Sequence, residues 1–101
     1  MSQIVAILAQ ERVDQLTKLV LELFPSFGYA IEIIGGARSG NPADPYDFGE
    51  YSFHKGSEQI GHYKYDLVKG SYVCQLNTIR DDRIENILRE RFPELRVSDD
   101  A

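Results

Sequence analysis

Apolar and polar residues alternate along most of the middle of this chain, and recur at helical spacing toward both ends. In the first segment Val5, Ala9, Val13, Leu16, Val20 and Leu23 are three or four residues apart, the signature of one face of an amphipathic helix. Glu11, Arg12, Asp14, Gln15 and Lys18 fall on the other side, and Pro25 is expected to stop the helix. A competing reading takes "IVAIL" as a strand and starts the helix near Gln10.

"YAIEII" (29–34) is rich in β-branched residues and lies between Gly28 and Gly35-Gly36, as a strand would. "YSF" (51–53) and the two limbs of "IGHYKYDLVKGSYVCQL" (60–76) give three more strands. A Lys69-Gly70 turn sets Tyr65 against Cys74 and Asp66 against Val73. Keeping Tyr51 and Phe53 on the face of Tyr63 and Tyr65 requires an odd-length preceding turn, Gly56-Ser57-Glu58. That register puts His54 opposite Ile60 and His62 opposite Ser52. The last element is a helix with a Thr78–Asp81 capping box and the stripe Ile84, Ile87, Leu88 and Phe92, ended by Pro93. "LRV" after it suits a short edge strand.

The sum is an α+β domain of order α-β-loop-β-β-β-α. An antiparallel sheet of about four strands carries the N-terminal and C-terminal helices on its Tyr/Leu face. Leu16, Val20, Ile31, Ile33, Tyr65, Cys74, Ile84 and Leu88 form the expected core. The 101 residues suit a single domain, 1–101, with 98–101 expected to be a disordered tail.

Composition narrows the function classes. The net charge of −5 opposes non-specific nucleic-acid or acidic-membrane binding, because a phosphate surface selects clustered Lys and Arg. The acidic excess is spread along the chain, so it makes no patch of the kind a DNA mimic needs. No apolar run approaches the ~20 residues of a membrane helix, and no signal peptide is recognised at the start. Cys74 is the single cysteine, which points to a reducing, cytoplasmic location and denies a cysteine-based zinc cluster. By alternation it faces inward as a small hydrophobe.

Two features could carry function. His54 and His62 project from one sheet face on diagonal positions, with no third metal ligand and no nucleophile beside them. The stretch "GGARSGNPADPYDFGEY" (35–51) is Gly- and Pro-rich and long for a connection inside a compact domain. It lacks the glycine spacing, the Gly-Lys-Ser/Thr and the following helix of a phosphate loop. Arg38, Asp44 and Asp47 beside Tyr46 and Phe48 read better as interface anchors flanked by charge.

The chain therefore reads as a small regulator, inhibitor or subunit that binds another protein. Its contacts would be Arg38, Asp44, Tyr46, Asp47, Phe48, His54 and His62, on a mobile loop and the exposed sheet face. No catalytic residue, metal or cofactor is assigned. The alternative is a small enzyme or ligand-binding domain using His54 and His62, with the glycine-rich loop as lid. A homo-oligomer joined through strand edges is compatible with either reading.

Overall fold

The computed structural model describes residues 3–38, 47–77 and 81–98. Its element order is β1 (Gln3–Leu8), α1 (Gln10–Ser26), β2 (Ala30–Arg38), β3 (Asp47–Lys55), β4 (Glu58–Val68), β5 (Ser71–Asn77), α2 (Asp82–Arg91) and β6 (Arg96–Ser98). The strands form one sheet in the order β2-β3-β4-β5-β1-β6, every neighbouring pair antiparallel. The α+β class and the two helices agree with the sequence reading. The strand count does not: six strands replace about four.

Two of the differences lie at the ends. Residues 3–8 are a strand, as in the competing reading, with Ile4, Ala6 and Leu8 buried and Val5 and Ile7 turned the other way. Helical and strand periods both fit a short apolar run. Pairing with β5, from Gln3 opposite Asn77 to Leu8 opposite Tyr72, decides between them. β6 then covers Gln3 to Val5 as the short edge strand expected of "LRV".

Helix α1 runs one residue past Pro25, which is compatible with a proline in its last turn. It ends with the Phe27 and Gly28 amides bonded to the Phe24 and Pro25 carbonyls. Gly28 supplies the positive φ (90°) that lets the chain reverse into β2.

The two hairpins of the meander show how local chemistry sets register. Lys69 and Gly70 both have positive φ, 52° and 83°, the geometry of a tight turn matched to strand twist. Tyr65 pairs with Cys74 and Asp66 with Val73, as expected. The β3–β4 turn is shorter than expected: Lys55 pairs with Glu58 around Gly56-Ser57. A bulge restores parity, because Phe53 pairs with Gly61 while His54 pairs with Gln59 rather than Ile60. Tyr51 opposite Tyr63 and Ser52 opposite His62 are as expected.

One core joins the inward face of the sheet to both helices. Val13, Leu16, Val20 and Phe24 of α1 and Ile84 and Leu88 of α2 meet Ile4, Phe53, Tyr63, Cys74 and Leu76. Phe24 stacks on Phe53 with centroids 3.9 Å apart, and Gly61 leaves room for the Phe24 ring. Ile87 is half-buried. Ile33 is a correction: it is 72% exposed, and Ile31 is only partly buried.

The chain ends are tied by side chains. Asp81, not Thr78, is the N-cap of α2; Thr78 lies outside the described residues. Asp81 accepts from the Arg83 amide (3.0 Å), the Arg83 guanidinium (2.7 and 3.0 Å) and the Tyr29 hydroxyl (2.6 Å). Arg12 grips Glu94 through two bonds, 2.7 and 2.8 Å, and lies over the Phe92 ring. Among the described residues no helix is long and apolar enough to cross a membrane.

Candidate functional site

Both ends of the glycine-rich stretch are sheet. Gly35 to Arg38 and Asp47 to Glu50 extend the β2–β3 ladder, pairing Gly36 with Gly49 and Ala37 with Phe48. This corrects the expectation of a loop at 35–38 and 47–50; residues 39–46 lie outside the described residues. Glycines permit the extension because β2 carries a bulge between Ile33 and Gly35, where Ile34 has no partner on β3. At Gly49 a side chain is excluded outright, since an added Cβ would lie 2.4 Å from the Tyr65 ring. Asp44 and Tyr46 lie outside the described residues, as do the side chains of Arg38 and Asp47.

Ile33 keeps the face of its partner Tyr51, and Ile34 sits at the bulge. Both are exposed, at 72% and 51%, and Phe48 across the ladder is 38% exposed. These three residues, with Gly35, Gly36, Tyr51 and Tyr65, line a cleft of about 440 Å³ at the end of the hairpin. Phe48 was singled out in the sequence as a candidate contact. Ile33 and Ile34 were not, although two adjacent isoleucines ahead of Gly-Gly left at least one without an inward position.

The histidines lie on the open face of the sheet and tie its strands together. His62 Nε2 is 2.8 Å from Glu50 Oε2, linking β4 to β3. His54 Nε2 is 2.7 Å from Ser52 Oγ and 3.3 Å from Glu32 Oε2, linking β3 to β2. Both are charge-assisted when the imidazole is protonated. The sequence placed Ser52 opposite His62 but singled out neither Glu32 nor Glu50, though strand parity places both on the histidine face.

Could Ser52 and His54 form a catalytic pair? A general base needs one nitrogen for the nucleophile and the other for the group that orients it. Here the same Nε2 faces both Ser52 and Glu32, and Ser52 is 4% exposed. The arrangement suits a cross-strand tie. Among the described residues no group of three or more His, Cys, Asp or Glu is placed to hold a metal ion.

Cys74 is free and buried. Burial pushes the Cys74 thiol up to about 12, well away from thiolate reactivity at neutral pH. Burial likewise raises Tyr63, whose hydroxyl shares a 2.8 Å hydrogen bond with Thr17 Oγ1.

A second cleft, of about 580 Å³, lies near the opposite edge between Val5, Ala6, Ile7, Val73, Glu94 and Arg96. It has an apolar floor, including the 73% exposed Ile7. Comparison with known proteins adds no relative: no family model matches the chain, and no curated protein or solved structure matches it significantly.

Proposed function

We propose that this is a small cytosolic interaction domain, a regulator, inhibitor or subunit, that binds another protein through the end of the β2–β3 hairpin and the adjoining open sheet face. The observation that carries the reading is the exposed apolar surface of Ile33, Ile34 and Phe48 around a cleft. Large apolar side chains gathered at one place on a small domain mark a contact surface more often than singly scattered ones do. Glu32, Glu50, His54 and His62, on the open face of the same strands and of β4, supply polar and charged groups beside it. Arg38, Asp44, Tyr46 and Asp47 remain the further contacts expected from the sequence.

Site-specific cross-linking tests the proposal. A photoreactive side chain at position 34 should capture one protein in stoichiometric yield from the native host. The same group at Glu90, exposed on α2, should capture none. Capture from position 90 alone would place the contact surface on the helices and refute the proposal.

A further inference from the structure

The free edge of the sheet restricts the chemistry of a chain that could bind there. β2 is outermost, and among the described residues no strand pairs with its outer side. Such an edge presents unpaired N–H and C=O groups to any extended chain of suitable register. A second copy of β2 fits poorly. Two-fold antiparallel pairing centred on Glu32 sets like charges directly opposite, and a centre at Ile33 or beyond runs both copies through the bulge at Ile34. A centre at Ile31 confines the paired strand to Ala30–Glu32.

A basic partner fits better. The Glu32 side chain is 68% exposed in the middle of the regular stretch Ala30–Ile33, and its ion-pair partner is the His54 imidazole at 3.3 Å. The whole chain carries a net charge of −5. Just beyond Glu32, the cleft of Ile33, Ile34 and Phe48 offers an apolar seat beside the same edge.

We propose that β2 accepts an extended segment of the partner protein as an added strand. The segment carries a Lys or Arg opposite Glu32 and an aliphatic or aromatic side chain on the cleft. This rests on the hairpin end being the partner surface, and assigns the mode of binding: backbone hydrogen bonds supply affinity, and the cation and apolar side chain supply specificity.

Nuclear magnetic resonance titration of the labelled chain tests it, using a short blocked peptide of alternating Lys and Val and its Glu/Val counterpart. The Lys/Val peptide should bind saturably, slow exchange at alternate amides along Ala30–Ile33, and shift the signals of Ile34 and Phe48. Glu32→Lys should reverse the preference between the two peptides by about tenfold, because a cross-strand attraction becomes a repulsion. Equal binding of the Lys/Val peptide to Glu32→Lys would overturn the proposal. Shifts confined to Ile33, Ile34 and Phe48 without slowed exchange would also overturn strand addition, while leaving the hairpin end as the surface. Perturbation of β6 alone would overturn both.

Discussion

Leu16 and Ile33 are similar in size and apolarity, yet their substitutions should differ widely in cost. Leu16 is fully buried between the helices and the sheet, so Leu16→Ala should destabilise by about 2–5 kcal/mol. Ile33 lies mostly in solvent, and Ile33→Ala should change stability by no more than about 0.5 kcal/mol. Urea unfolding of both variants measures the contrast. Strand alternation gave Ile33 the same face as Ile31, and the pairing of Ile33 with Tyr51 agrees. Alternation assigns a face but not a cover, so its exposure was not legible. Cys74 was legible because it shares alternate positions with Tyr72 and Leu76 and pairs with the inward Tyr65. Its raised thiol should resist alkylation in the native protein and react at a free-thiol rate only in denaturant.

At the level of elements, the start of α2 is a clamp rather than a simple cap. Asp81 joins α2 to Tyr29, at the entry to β2, and to Arg83, whose guanidinium lies over the Phe27 ring. Hydrogen bonds from Arg83 and then Tyr29 hold its carboxyl well below the usual carboxylate range. A carboxyl depressed in the folded state stabilises above its unfolded value of about 3.9, and that contribution is lost as pH falls through the folded value. Thermal melts from pH 6 downward should therefore show a shallower acid limb for Asp81→Asn, an exchange that keeps a cap-competent oxygen. Asp81→Ala should cost about 1–2 kcal/mol at neutral pH. The sequence placed a cap near this point but could not reveal Tyr29, distant along the chain. Gly49 makes the same point for the hairpin. Gly49→Ala drives a Cβ into the buried Tyr65 ring and should destabilise by about 1–3 kcal/mol, whereas composition alone suggested only a flexible loop.

Over the whole molecule, the layers were legible and the edges were not. Apolar stripes identified the helices and the inward sheet face because burying those stripes is what the core is for. The choice of β1 as the strand beside β5 depended on long-range pairing, which a short apolar run does not encode. The same gap affected the site. The sequence singled out Phe48, His54 and His62 but could not show that the histidines are tied to Glu32 and Glu50, or that Ile33 and Ile34 are both exposed. The scaffold and the proposed partner surface are consequently separable, since the core is complete without the hairpin end. The most direct test is a double variant, Ile34→Ser with Phe48→Ala, compared with the parent chain for urea midpoint and for retention of the partner captured through position 34. The expected result is an unchanged midpoint with partner retention abolished; full retention at an unchanged midpoint would contradict the hairpin end as the binding surface.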